Sequence, residues 1–422
     1  MFRVSYEVMY TVLLALSGLV LGAAQPSSDA LISMRSPIPV KQALSGCYES
    51  NVASEGVPSI FKEPRCMDSV KMPPRPGPMN PAALCDISPD LCPPTAPPPP
   101  SCMCSPPRPG ALLGGQHTDL PVSFDVGHTF EGRTEWNALN GGWTKNISLI
   151  AQYLNEGPSC RHFVLSYPGV VGVNEEPFSV LSNRLQSCAA GTFNNHYANY
   201  GHALKAAGIN HGLILRIGWE WNIGTNPGMS PKDKKSGTWH NELVPAFRSC
   251  FHNIVTSIRS TCGDCGIKFD YNSNGTINDA LMREGYPGDD VVDIISIEAY
   301  DNSGSKTDAV ARWANRQAKL DMARNFAKER GKYTAFPEWG LINCNIRTIP
   351  CSANLQNPSF TPGDNPYYIQ KMCEYAKDPD NKVYYSIYFG GSADSYPWHD
   401  LNNPLNAQSR AAFINYCGCN TP

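Results

Sequence analysis

Two glutamates occupy similar positions in two separate stretches of the chain. Glu220 lies within residues 215–222, after an apolar run that begins near residue 211, and Glu338 lies within the similar stretch 333–340. Each glutamate is next to tryptophan. A carboxylate at the end of a buried strand costs free energy unless it is paired, solvated or used in a reaction. The two glutamates are therefore the first candidates for chemistry.

A pair of carboxylates that face each other across a pocket is suited to the hydrolysis of a glycosidic bond. One protonates the leaving oxygen, while the other attacks the anomeric carbon or activates a water molecule. Trp219, Trp221 and Trp339 flank the pair and predict flat apolar surfaces for sugar rings. The alternatives are a structural ion pair for each glutamate and core packing for the tryptophans.

Two further residues are candidates to support these carboxylates. Arg216 lies four residues before Glu220, and this even spacing places both side chains on one face of a strand. A cation there favours ionised carboxylates. Tyr300 ends another apolar run, so its hydroxyl is a candidate donor to a carboxylate nucleophile. The alternatives are a structural buried cation for Arg216 and aromatic packing for Tyr300.

From about residue 110, apolar runs typical of strands alternate with segments typical of helices. This alternation predicts parallel strands joined by helical crossovers, and runs that are apolar throughout predict a sheet covered on both faces. Eight such units favour a (β/α)8 TIM barrel over an open doubly wound sheet, and no Gly-rich nucleotide fingerprint follows the first run. The predicted strands are 111–115, 121–126, 162–167, 212–218, 267–271, 291–300, 333–337 and 383–389, and the predicted helices include 143–154, 196–207, 245–260, 309–329 and 366–375.

The barrel hypothesis places catalytic side chains at the C-terminal ends of the strands. Polar and aromatic residues cluster at the predicted strand ends of this sequence. They are therefore expected to line a common cleft. The candidates are Asp125 and Asn222 and, with loop packing as the alternative, His128, Trp136, Asn272 and Trp398.

The first 109 residues differ from the rest of the chain. An apolar segment too short to span a membrane follows Arg3 and precedes small residues, which predicts a signal peptide over 1–24, with a signal anchor as the alternative. Residues 25–109 are rich in proline and contain six cysteines. We expect a Pro/Cys-rich extension or linker there, with a small binding module as the alternative. The predicted catalytic domain is 110–422.

The cysteine count and the charge indicate the compartment and exclude some partners. Sixteen cysteines favour an oxidising compartment, and a formal net charge of −3 gives no support for a nucleic-acid or anionic-membrane partner. We therefore expect a secreted, soluble monomer. Cys262 and Cys265 predict a disulfide rather than a zinc site. Asn146 and Asn274 begin glycosylation sequons, and a glycan at Asn274 would crowd the predicted cleft.

Four motifs, at 216–222, 286–290, 293–301 and 337–340, resemble those of clan A glycoside hydrolases. Within that clan they are most similar to the β-mannanases of glycoside hydrolase family 26, in particular secreted bacterial members. The resemblance covers about residues 110–417 and implies a retaining (β/α)8 enzyme. It implies that Glu220 is the acid/base and Glu338 the nucleophile, that Arg216 matches the family arginine, and that Tyr300 supports the nucleophile.

The sequence departs from the family pattern at three places. Trp219 stands where the mannanases have histidine, Glu298 stands where aspartate is more usual, and residues 221–224 match loosely. The family histidine contacts the sugar next to the scissile bond. The departure at Trp219 therefore predicts that the hydrolytic residues are kept while sugar recognition has changed.

The sequence as a whole predicts a secreted retaining β-glycoside hydrolase that acts on a polysaccharide by double displacement. The substrate is a mannan or another β-glycan such as a glucan, xylan or galactan, and the chemistry needs neither a metal nor a cofactor. The alternative from a different class is a non-catalytic carbohydrate-binding or cell-wall protein on the same barrel.

Overall fold

Parallel strands arranged in a closed ring form the centre of the computed structural model. The structure describes residues 111–418, apart from 117–119, 121, 123, 142–143, 157–160, 264, 303–307, 344, 347–362 and 392–395. The predicted signal peptide and Pro/Cys-rich extension lie outside the described residues. The strands of the described part are β1 (Leu112–Gln116), β2 (Val126–Phe130), β3 (His162–Tyr167), β4 (Leu213–Ile217), β5 (Lys268–Ser273), β6 (Ile294–Ile297), β7 (Ala299–Tyr300), β8 (Tyr333–Gly340) and β9 (Val383–Phe389).

The strands close into a barrel of eight positions. Each strand pairs in parallel with its neighbours from β1 to β6, and β9 pairs with both β8 and β1. β6 and β7 are two halves of one barrel strand, separated at Glu298, and both pair with β8. This confirms the predicted (β/α)8 barrel. The doubly wound alternative is wrong because an open sheet would leave two unpaired edge strands.

Helices follow most of the strands and bury one face against the ring. In the helix after β4, buried Phe247, Phe251, Ile254 and Ile258 recur at the three- and four-residue spacing of one helical face. The five predicted helices are confirmed, with ends that differ by at most two residues. The helices of the described part are α1 (Trp136–Leu139), α2 (Thr144–Asn155), α3 (Phe178–Ala189), α4 (Asn194–Ala206), α5 (Val244–Cys262), α6 (Asp279–Glu284), α7 (Ala309–Glu329), α8 (Pro366–Lys377) and α9 (Ala407–Ala412).

The second strand was predicted in the wrong place. β2 begins at Val126, the residue at which the predicted strand ends. Its sequence, VGHTF, is less apolar than the segment before it, and therefore it did not stand out. Gly127 is needed there because a Cβ atom would come within 2.7 Å of the Phe163 ring. As a consequence, Asp125 precedes the strand instead of following it.

The interior of the barrel has an apolar layer followed by a polar layer. Side chains two residues apart on a strand point to the same side. Val126, Val164, Ile214 and Ile294 belong to one buried apolar cluster with residues of β8 and β9. Two residues further along each of these strands, the side chains are polar, and this layer lies towards the C-terminal ends. The polar layer includes His128, Ser166, Arg216 and Ser296.

Disulfides join several outer elements. Cys262 and Cys265 form a disulfide, which confirms that prediction. Two longer links join α3 to α5 through Cys188 and Cys250, and α8 to the C-terminal turn through Cys373 and Cys417. Within the described ranges, no helix has the length and apolar character needed to cross a membrane.

Candidate active site

Glu220 lies in a tight turn directly after β4. Gly218 has φ of 58° and Glu220 has φ of 52°, so two residues near the strand end adopt the left-handed conformation. This conformation is strained for a residue with a Cβ atom, and such strain is concentrated at functional sites. The turn is held by the Glu220 N–H, which donates to Asn272 Oδ1 at 3.0 Å. The Glu220 carboxylate accepts from Asn274 Nδ2 at 2.6 Å.

Glu338 lies near the C-terminal end of β8 and is only 7% exposed. Arg216 donates to its Oε1 atom, and the Tyr300 hydroxyl donates to Oε2 at 2.9 Å. Burial raises the pKa of the Glu338 carboxyl, Arg216 lowers it, and the nearby Glu220 carboxylate raises it again. Burial and Glu338 raise the pKa of the Tyr300 hydroxyl well above its ordinary value, so Tyr300 remains a donor.

Arg216 is the fully buried centre of the site. Besides Glu338, its guanidinium donates to Glu298 Oε1 at 2.5 Å, Asn272 Oδ1 at 2.8 Å and Ser166 Oγ at 3.1 Å. Burial lowers the pKa of Arg216, but the Glu338 and Glu298 carboxylates outweigh that effect and raise it. The structure therefore combines the two roles considered for Arg216, because it is a buried cation and it contacts the candidate nucleophile.

Glu298, which stands where the family more usually has aspartate but was not among the predicted site residues, also belongs to this cluster. It interrupts the barrel strand between β6 and β7 and is 1% exposed. Burial, followed by the nearby Glu220 and Glu338 carboxylates, raises the pKa of Glu298 well above its ordinary value. The surroundings of Glu298 therefore favour its protonated form. Arg216 donates to Oε1 of Glu298, and Asn274 donates to Oε2. The available signal was a carboxylate inside an otherwise apolar strand.

Two of the predicted cleft residues, His128 and Asn272, join the site. His128 lies within β2, and its Nε2 atom is 2.9 Å from Ser166 Oγ, which also contacts Arg216. Asn272 accepts from both Arg216 and the Glu220 backbone. These contacts place both residues in the polar network that supports the carboxylates.

Three other predicted residues lie around this network. Asn222 is buried and accepts the Asn274 N–H at 2.7 Å, so it holds the neighbouring loop. Trp398 donates to His399 Nε2 at 3.0 Å, and His399 stacks on Tyr300 with ring centroids 5.0 Å apart. Burial lowers the pKa of His399 to about 4, so its imidazole is neutral at pH 7. The sequence did not predict this histidine as part of the site. Trp219 packs edge-on against Phe130 at 5.2 Å, next to Glu220.

Four predictions for cleft residues are not supported. Asp125 lies at the N-terminal end of β2, where it accepts from the Leu113 N–H at 3.5 Å, because the strand begins later than predicted. Trp136 stacks on His196 at 4.6 Å, as the packing alternative predicted. Trp221 and Trp339 are both 0% exposed, so neither offers a surface to a sugar.

The two buried tryptophans belong to the layer between strands and helices. Trp221 stacks on Phe247 of α5 at 4.7 Å, and its indole N–H donates to Ser273 Oγ at 3.1 Å. Trp339 packs against Tyr388 at 5.0 Å and against Phe413 at 6.0 Å. Core packing, the alternative considered for the tryptophans, is therefore correct for these two.

The barrel is similar to solved structures of family 26 glycoside hydrolases. GH26C from Muricauda sp. MAR_2010_75 is 15% identical, with a TM-score of 0.50 over 72% of this chain and 85% of that chain. A modular endo-β-1,4-mannanase from Cellulomonas fimi is 16% identical, with a TM-score of 0.49 over 74% of this chain and 72% of that chain. The first likeness establishes the fold. No protein-family model and no curated protein sequence matches the chain.

Proposed function

We propose that this protein is a retaining β-glycoside hydrolase that cleaves a polysaccharide. The observation that carries the proposal is one polar network that includes both Glu220, after β4, and Glu338, near the end of β8. Buried Arg216 donates to Glu338 and to Asn272, and Asn272 also accepts the Glu220 N–H. Each has the surroundings that its role requires: Glu338 is held by two donors, and Glu220 is less buried and adjoins a second carboxyl. Among the described residues, no group of three or more His, Cys, Asp or Glu is arranged to hold a metal ion.

In the first step, Glu338 attacks the anomeric carbon while Glu220 protonates the leaving oxygen. Arg216 and the Tyr300 hydroxyl fix the two oxygens of Glu338 and favour its ionised form. In the second step, Glu220 removes a proton from water, which attacks the anomeric carbon and releases Glu338. The raised pKa of Glu298 favours its neutral form, which adds no negative charge beside the developing oxocarbenium ion.

The proposed substrate is a mannan or a related β-glycan such as a glucan, xylan or galactan. Two features support this class: the motif resemblance to β-mannanases, and the aromatic pair of Trp219 and Phe130 beside Glu220. Trp219 replaces a histidine of the mannanases, so we expect the sugar preference at this position to differ from theirs. We further propose that the protein is secreted, which the disulfides on its barrel support, and that it is a monomer.

Single Glu220→Gln and Glu338→Gln variants, assayed on a polysaccharide panel with product analysis, test the proposal. We expect both to lose activity without unfolding, Glu220→Gln by about 10²–10⁴-fold because general acid catalysis contributes that much. Glu284→Gln, at an exposed glutamate on α6, is the matched control. Retained activity in either site variant would contradict the roles assigned. A parent protein that binds glycans but hydrolyses none would favour the carbohydrate-binding alternative.

Added azide distinguishes the two roles. In Glu220→Ala, azide replaces water at the covalent intermediate, so the glycosyl azide has the same anomeric configuration as the substrate. In Glu338→Ala, azide replaces the missing nucleophile and attacks from its side, so the product is inverted. The same configuration from both variants would show that the assignment of acid/base and nucleophile is wrong.

A further inference from the structure

Asn274 lies just after β5, and its side-chain amide stands between two carboxyl groups. Its Nδ2 atom donates to Glu220 Oε1 at 2.6 Å and to Glu298 Oε2 at 3.0 Å. A carboxamide nitrogen carries two hydrogens, so both are in use. One side chain thus connects the candidate acid/base after β4 to the carboxyl group between β6 and β7.

Thr276 determines which end of this amide faces the carboxyl groups. The Asn274 Oδ1 atom accepts from the Thr276 N–H and from the Thr276 hydroxyl, each at 3.0 Å. The orientation of an asparagine amide follows from the donors and acceptors around it. Two donors at Oδ1 leave Nδ2 to face the carboxyl groups. A flipped amide would instead place its oxygen against Glu220 and Glu298.

The backbone of this loop is also fixed. Asn222 Oδ1 accepts the Asn274 N–H at 2.7 Å. A Cβ atom on Gly275 would come within 2.5 Å of both the Glu298 carbonyl oxygen and Arg316 Nη1. The loop therefore packs directly against the strand that carries Glu298. Residues 274–276 read as a glycosylation sequon, yet each of them has a structural task at the site.

We propose that Asn274 is a positioning residue for Glu220, that Thr276 sets the direction of its amide, and that the active protein carries no glycan on Asn274. The first part rests on the proposed function, in which Glu220 is the acid/base. A glycan on Nδ2 replaces one of its two hydrogens, so at least one bond to a carboxyl group would be lost. Asn274 and Thr276 are thus both needed to position Glu220, and together they also happen to match the pattern of a sequon.

Loss of the Asn274 amide should change the pH dependence as well as the rate. A donor to a carboxylate favours its ionised form, and two carboxyl groups without a donor between them share a proton more readily. In Asn274→Ala, we expect the alkaline limb of the kcat profile to move to higher pH, and kcat to fall by about 10- to 100-fold because the acid is misplaced. KM should change much less.

Thr276→Val and Thr276→Ser provide the second test. Both variants can still be assayed if Asn274→Ala does not fold. Valine keeps the shape but removes the hydroxyl donor and the sequon, so kcat should fall. Serine keeps the hydroxyl and should recover most of that loss. Ser148→Ala removes the other sequon at an exposed position on α2 and should leave kcat and the pH profile unchanged.

Peptide mass spectrometry of the secreted full-length parent shows separately whether Asn274 carries a glycan. Unmodified Asn274 in the active protein is the expected result. Active protein with a glycan on Asn274, or an Asn274→Ala variant with unchanged kcat and pH profile, would overturn the inference. A parent inactive on every polysaccharide would instead overturn the proposed function. In that case glycan mapping still decides the inference, because an occupied Asn274 in folded protein contradicts the geometry described above.

Discussion

Replacement of Arg216 by methionine tests how the carboxyl groups of the site are held in the barrel. The guanidinium is 0% exposed and pairs with both Glu298 and Glu338. Removal of one partner from a buried ion pair typically costs about 3–5 kcal/mol, because a buried charge remains without compensation. We expect Arg216→Met to lower the free energy of unfolding by about that amount at neutral pH.

The cost should depend on pH in a defined direction. Burial raises the pKa values of Glu298 and Glu338, and Arg216 opposes this rise in both. Without Arg216 both folded-state pKa values rise further. A carboxyl group with a raised folded-state pKa contributes stability that is present below its unfolded pKa and is lost as pH increases through the folded value. The variant should therefore lose about 1.4 kcal/mol per pH unit for each additional proton that its native state retains.

Urea unfolding of parent and variant, followed by tryptophan fluorescence at about pH 4.5 and about pH 7.5, measures this difference. Arg216→Met/Glu338→Gln should recover part of the stability at the higher pH, because the carboxylate that Arg216 compensated is then permanently neutral. Arg283→Met is the matched control. Arg283 pairs with Asp279 and Glu329 but is 38% exposed, so its loss should cost at most about 1 kcal/mol. Equal destabilisation by Arg216→Met at both pH values would refute the reasoning.

Three further substitutions have definite expected outcomes. Burial raises the pKa of Asp270 from 3.8 to about 6, so its stabilising contribution is complete below about pH 3.8 and is lost as pH rises through about 6. Asp270→Asn should therefore raise Tm more at pH 8 than at pH 4. The gain in the free energy of unfolding at pH 8 should be up to about 3 kcal/mol. Tyr300→Phe removes the donor to Glu338, which should lower kcat/KM by about 10- to 100-fold and move the acidic limb of the pH profile upwards. Gly275→Ala should lower kcat and should also lower the free energy of unfolding by about 1–3 kcal/mol, because its Cβ atom displaces the strand that carries Glu298. Unchanged kinetics would show that the loop is not tightly packed.

Glu220 was found because it follows an apolar run, since it lies in the turn after β4 and not on the strand itself. Sequence periodicity was sufficient to find the barrel, Arg216 and Glu338, because strand geometry determines which side chains share a face. The same rule explains one of the errors. Glu338 and Trp339 are adjacent on β8, so if the glutamate faces the barrel interior the tryptophan must face the helices. The prediction assumed that residues adjacent in the sequence share a site, but adjacent side chains on a strand point to opposite faces.

The contacts that connect different strands were not predictable in this way. Asn274 reaches Glu220 across 54 positions and Glu298 across 24, and no local pattern determines which loop packs on which. The error at Asp125 has another cause. Residues 121–126 are more apolar than β2 itself, so hydrophobicity placed the strand too early by most of its length. Burial of one strand face, rather than mean hydropathy, determines where a strand begins.

The raised pKa of Glu298 also favours a charge balance that suits two opposite proton transfers in a buried site. With Glu298 in the neutral form that its raised pKa favours, the charges of Arg216 and Glu338 cancel before the first step of the proposed reaction, in which Glu220 is the acid. In the covalent intermediate, Glu338 is esterified and Glu220 has lost its proton, so Arg216 now balances Glu220. The net charge is zero in both states. An ionised Glu298 would leave an uncompensated negative charge in a region where burial makes such charges costly. The neutral form of Glu298 is therefore the one compatible with this chemistry, because the charge then moves only between Glu338 and Glu220.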